Sequence, residues 1–238
     1  MTRLLKLGAL AGLVGGIALA LFLRFVGEGP IGDAVALEEA RSAGSHGTAH
    51  EELFSRAAQQ VGGMIGAAVY GVAVGAVLVV VFALLRHRLP GLRDDWRRAV
   101  FVAGVAFVTV SLVPFLKYPA NPPAVGDPDT IGRRTALYVL MVLWSCVATW
   151  AAFRVASWWR DRPDHVRLPA AVATGAVLVA LGYVLLPGTP DAVEAPATLV
   201  WRFRVAAIGG QAAFFAVTGT VLGWLLIRTP TRVPTPVA

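Results

Sequence analysis

Charge is what this sequence has least of. Only 15% of its 238 residues are Asp, Glu, Lys or Arg, where a soluble domain carries about a quarter. Cysteine is nearly absent too. Cys146 stands alone inside an apolar run, which excludes an intrachain disulfide and leaves the loops to packing and backbone geometry. Lysine occurs only as Lys6 and Lys117, the remaining cations being Arg; with abundant Ala and Val, that usage fits a GC-rich bacterial coding sequence. No Gly-x-x-x-x-Gly-Lys phosphate loop is present, so ATP hydrolysis of that type must come from another chain. No ionisable side chain lies near the middle of any long apolar run, whereas ion-coupled carriers commonly keep one there. Ser111, Ser145 and Cys146 have no base beside them in those runs, which argues against an enzyme with an activated nucleophile.

What the chain does have is apolar length. Hydrophobic residues make up 57% of it, with a mean hydropathy of +0.68. Six segments are long enough to cross a bilayer core as helix. They cover about 4–26, 61–85, 99–116, 136–157, 168–186 and 203–227. The expected fold is all-α: a polytopic six-helix transmembrane bundle forming one domain over 1–228, with a short tail at 229–238. An even number of crossings puts both termini on one side. That side and its two loops collect thirteen cations against four aspartates, and the opposite side has eight cations against ten carboxylates. The positive-inside rule then makes both termini cytoplasmic. The net charge of +7 is thereby explained by orientation in a lipid bilayer and calls for no nucleic acid.

The first run follows Arg3 and Lys6, and Ala18-Leu19-Ala20 resembles a cleavage site, as in a signal peptide. Its continuation through Phe22 and Leu23, and Gly8, Gly12 and Gly16 at four-residue spacing, favour a retained span with a close helical neighbour. Small-residue faces recur at Gly62/Gly66, Gly71/Gly75 and Gly219/Gly223, so spans one, two and six are expected to pack closely. In the first outer segment, Pro30 with Ile31, Ala34, Val35 and Glu38 suggests a short amphipathic helix on the membrane face. Thr48-Ala-His-Glu51 reads as a capping box, which would start the second span ahead of Leu53 and Phe54. His46 and His50 beside Glu51 and Glu52 could ligate a divalent metal. The box puts the two histidines on different faces, so a solvated helix start is the alternative.

The most informative stretch separates spans three and four: Lys117-Tyr-Pro-Ala-Asn-Pro-Pro-Ala-Val-Gly-Asp-Pro-Asp-Thr-Ile-Gly-Arg-Arg-Thr135. Pro119, Pro122 and Pro123 predict a stiff, extended first half from Tyr118 to Ala124, with Asn121 inside it. Gly126 permits a turn, and Asp127, Asp129 or Thr130 can cap the fourth helix. Arg133 and Arg134 then occupy that helix's first turns, where the macrodipole disfavours cations. Arg202 and Arg204 repeat the anomaly at the sixth span. With Arg24 and Lys117, six cations mark the outer ends of four helices. Either they pair with Glu28, Asp127, Asp129, Asp191 and Glu194 or with lipid phosphates, or they form a mouth that binds an anion. Gln211 after Gly209-Gly210 marks a place where a helix could break and offer carbonyls to a cation.

The proline motif, the Arg133-Arg134-Thr135-x-x-Tyr138 turn that follows it, and Trp201-Arg-Phe-Arg204 with Gly209-Gly-Gln211 resemble the CbtA family of predicted cobalt transporter subunits. With the Gly-rich first two spans the likeness covers nearly the whole chain. It implies cobalt(II) as the transported ion, uptake for cobalamin synthesis across a bacterial inner membrane, and a small His-bearing CbtB-like membrane partner. No tightly bound cofactor is implied. The matching residues are largely cationic, so the partner is the expected source of histidine ligands.

Overall fold

The protein is described by a computed structural model over residues 1–44, 55–89, 92, 94–123, 125–189 and 193–228. His46, His50, Glu51, Glu52 and the Thr48 capping box lie outside the described residues. Those described hold helices and no strand. Six helical runs are long and apolar enough to cross a membrane: Thr2–Arg41, Arg56–Arg88, Asp95–Lys117, Pro128–Trp158, Asp164–Leu185 and Ala197–Arg228. Five contain an expected segment whole and the run Asp164–Leu185 contains all of 168–186 but its last residue, because a backbone in lipid must satisfy its polar groups internally and helix does so locally.

The helices are α1 (Thr2–Phe22), α2 (Glu28–Gly44), α3 (Arg56–Leu85), α4 (Asp95–Phe107), α5 (Val113–Lys117), α6 (Ile131–Trp158), α7 (Asp164–Leu185) and α8 (Ala197–Arg228). The first span does not stop where the apolar run ends. A π turn over Leu23–Gly27 carries it into α2, so the short separate helix expected around Pro30 is a 17-residue continuation. The described part of α3 begins at Arg56, capped by Ser55, whose hydroxyl accepts from Ala58 N at 3.4 Å. A second π turn, Val108–Leu112, splits the third span ahead of Pro114 in α5. Proline has no N–H to return to the preceding turn, which disturbs the regular hydrogen-bond ladder. The expected break at Gly209-Gly210 is not there; α8 runs through it unbroken.

The chain divides into two compact units. The first takes the described residues of Met1–Val26, His50–Ala106 and Gly209–Ala238. Glycine sets its packing. A Cβ added at Gly12 would lie 2.0 Å from the Gly71 carbonyl oxygen, and one at Gly75 would lie 2.3 Å from that of Gly8. With Gly16 against Ala67, α1 and α3 cross antiparallel in backbone contact. Thr218 and Phe214 of α8 close on Gly15, and Phe22 fills the space at Gly209. The expected grouping of spans one, two and six is therefore found. Gly219 and Gly223 instead receive Ala103 and Trp96 of α4. Among the described residues no atom comes within 4 Å of a Cβ built at Gly62 or Gly66, so none of them packs on that small-residue face. The core of this unit gathers Ala11, Val79, Phe82, Val102 and Leu222.

The second unit takes the described residues of Gly27–Ala49 and Phe107–Ile208. Here side chains reach across to backbone carbonyls. The Trp144 indole donates to the Leu178 oxygen at 2.7 Å and occupies the space that a side chain at Gly182 would need. The Tyr183 hydroxyl donates to the Val113 oxygen at 2.6 Å, and Thr109 and Thr149 share a hydrogen bond of 2.8 Å.

Candidate functional site

The proline motif and its neighbours lie in the second unit. From Tyr118 the chain leaves α5 with φ −126° and ψ 74°. It stays irregular through Asn121 and turns back where Val125 N donates to the Pro122 oxygen at 3.2 Å. Gly126 follows at φ 106°, a left-handed value that glycine adopts without a Cβ clash. Asp127 is the cap: its carboxylate accepts from Asp129 N at 2.9 Å, starting a 3-10 turn over Pro128–Thr130 that leads into α6. Thr130 donates its hydroxyl to the Asp127 carbonyl at 2.7 Å, and Asp129 is exposed.

Backbone carbonyls, more than carboxylates, receive the cations. Lys117 donates from Nζ to the Tyr183 oxygen at 2.8 Å and stands 5.7 Å from the Tyr118 ring centre. Tyr118, only 5% exposed, donates its hydroxyl to the Pro187 oxygen at 2.6 Å. Burial pushes that phenol above its ordinary pKa, which keeps the donating form. Arg204 clamps the motif itself. Its Nε donates to the Ala120 oxygen at 3.2 Å and its terminal nitrogen to the Asn121 amide oxygen at 3.0 Å. Arg202 pairs with Asp33 of α2 at 2.8 Å, a partner the sequence pattern did not suggest. Arg41, also on α2, donates to the backbone oxygen of Glu194. Arg133 is exposed on the first turn of α6.

These elements enclose a pocket of about 280 Å³, lined among others by Tyr118, Asn121, Arg134, Tyr138, Thr189 and Arg204. The structure thus brings Tyr118, Asn121, Arg134 and Arg204 to one place. It leaves Arg202 on its own ion pair and Asp127 on its cap. Gln211 belongs to the first unit, where its amide oxygen accepts from the Tyr70 hydroxyl at 3.2 Å. Among the described lining residues are guanidinium, amide and hydroxyl groups, with no carboxylate or imidazole. No cluster of three His, Cys, Asp or Glu is found among the described residues. Such a surface favours oxygen-rich or anionic groups over a bare dication.

At the opposite ends of these helices the Arg residues behave as interfacial groups. Arg154 lies 5.1 Å from the Trp158 ring centre and 6.0 Å from that of Trp150. Arg167 pairs with Asp164 at 2.7 Å, Arg98 with Asp95 at 3.0 Å. Ser145, a potential nucleophile by type, donates to the Met141 oxygen of its own helix at 2.8 Å.

No curated protein and no solved structure matches the chain. The CbtA family model, described as "Probable cobalt transporter subunit (CbtA)", matches residues 1–227. That span takes in the six helices long and apolar enough to cross a membrane, all but Arg228 of the last, and every described lining residue of the pocket, and the chain belongs to the CbtA family.

Proposed function

We propose that the protein is the multi-pass subunit of a cobalt importer in a bacterial inner membrane, supplying cobalt for cobalamin synthesis. The observation that carries this reading is the family match across residues 1–227. Both termini and the Arg-rich loops face the cytoplasm, as their charge bias favours, and the proline-motif pocket opens outward. Cobalt(II) is the cargo. The metal ligands at the entrance come from a second subunit, a small His-bearing membrane protein of the CbtB type. The word subunit in the family description and the guanidinium, amide and hydroxyl lining of the pocket both support such a partner.

Cobalt accumulation in cells with and without the gene, under cobalt limitation, tests this. A clear fall on deletion, restored by the intact chain, is expected; equal accumulation overturns the reading. A second reading, a non-transporting scaffold whose cationic rim holds a lipid, an anion or a partner, is favoured by one observation: Arg134 and Arg204 share the pocket. On that reading Arg133→Ala and Arg202→Ala weaken recovery of the complex and leave flux in reconstituted vesicles unchanged.

A further inference from the structure

Arg98, Arg167 and Arg202 each meet a carboxylate, on Asp95, Asp164 and Asp33. Among the described residues, Arg204 and Lys117 meet none. Arg204 bonds the Ala120 carbonyl and the Asn121 amide oxygen. Lys117 bonds the Tyr183 carbonyl beside the Tyr118 ring. All these acceptors are neutral. Both cations are partly buried and stand near the ends of helical runs apolar enough to cross a membrane. A charge without a countercharge is costly at that depth.

The bonds of Arg204 also show which of its donors remain. A guanidinium presents five N–H donors in a rigid plane. They form one fork along Nε and Nη2 and another across the two terminal nitrogens. The first fork is taken by Ala120 and Asn121, which fixes the plane of the group. The terminal fork has no acceptor among the described residues, and Arg204 lines the pocket of about 280 Å³. Arg134 and the hydroxyl-bearing Thr135 and Thr189 line it too. So do Ile131 and Val193, both exposed, which give this polar chamber an apolar lip.

We propose that the pocket holds a phosphate group, carried by a lipid headgroup or taken up as the free ion. The terminal fork of Arg204 grips two of its oxygens, since the planar guanidinium matches phosphate bidentately. Arg134 adds positive charge, and Thr135 and Thr189 offer further donors. The bound group supplies the countercharge that Arg204 lacks among the described residues. The inference rests on the pocket invoked for the second reading above, narrows its occupant to one chemical class and is independent of cobalt transport.

Titration of the delipidated full chain, in an uncharged and phosphate-free detergent, tests it. The probes are phosphatidylglycerol, inorganic phosphate and diacylglycerol, which has the tails and no phosphate. At least one phosphate-bearing probe should bind, and diacylglycerol should not. Binding of phosphatidylglycerol alone identifies the headgroup as the source; binding of inorganic phosphate identifies the free ion as a ligand. Arg204→Lys, which keeps the charge and loses the fork, should weaken binding about tenfold. Arg133→Ala, which removes an exposed cation from the same end of α6, should bind as the parent does. No binding of either phosphate probe, equal binding of diacylglycerol, or unchanged affinity in Arg204→Lys overturns the proposal. If Arg204→Lys fails to fold, arginine modification of the parent chain by phenylglyoxal decides. The phosphate-bearing probe should slow modification of Arg204 several-fold and leave Arg133 unaffected; an unprotected Arg204 overturns the site. Cobalt accumulation is read separately, so either conclusion can fail while the other stands.

Discussion

The two units are built from the same kinds of helix and held together by different physics. In the first, glycine lets backbones touch: Gly8, Gly12 and Gly16 of α1 meet Ala67, Gly71 and Gly75 of α3. Without water to expel, helices in lipid associate through such close van der Waals contact. In the second, long polar side chains reach for carbonyls, as Lys117, Tyr118, Tyr183, Trp144 and Arg204 do. The first arrangement leaves little room for a change of shape where the glycines touch. The second leaves polar atoms inside the membrane and at its edge, and there the pocket forms.

The contrast can be broken most forcefully at Gly12. Gly12→Leu drives a side chain into the Gly71 carbonyl and should cost about 3 kcal/mol, read as a large loss of thermal stability in detergent. Gly62→Leu, with open space around it, should leave the melting temperature nearly unchanged; an equal loss there would show that glycine content, not backbone contact, sets stability. In the second unit Tyr183→Phe leaves the Val113 carbonyl without its donor and should cost about 1–2 kcal/mol. Arg204→Ala should release the Ala120–Asn121 segment, seen as faster proteolysis within the motif while the melting temperature shifts little.

The smallest effect is a pH dependence at Tyr118. Burial raises its folded pKa above the ordinary 10.0. The protonated phenol is thus favoured in the fold, and its contribution is fully present below about pH 10. It is lost as pH climbs through the higher folded value. Stability should therefore fall as pH rises past about 10, less steeply in Tyr118→Phe, as a pH series of melting curves would show.

Spans and glycine contacts were largely legible because hydropathy and four-residue spacing act locally along a helix. Gly126 and the Asp127 cap were legible for the same reason. The partners of the cations were not. Arg202 meets Asp33 across 169 positions, and Arg204 and Lys117 bond carbonyls, which every residue carries and no pattern singles out. Gly209-Gly210 suggested a break and instead makes room for Phe22 and Leu19. The break occurs before Pro114, a residue whose missing N–H was the available signal.

That proline also bears on how the chain enters a membrane. A span emerging from the ribosome normally satisfies its own backbone before it meets lipid. In the third span Pro114 has no N–H to return to the preceding turn, and the Val110 and Val113 oxygens accept from the hydroxyls of Tyr138 and Tyr183, made 28 and 70 residues later. An unmet carbonyl in hydrocarbon costs several kcal/mol. The segment therefore gains from having α6 and α7 beside it in the bilayer.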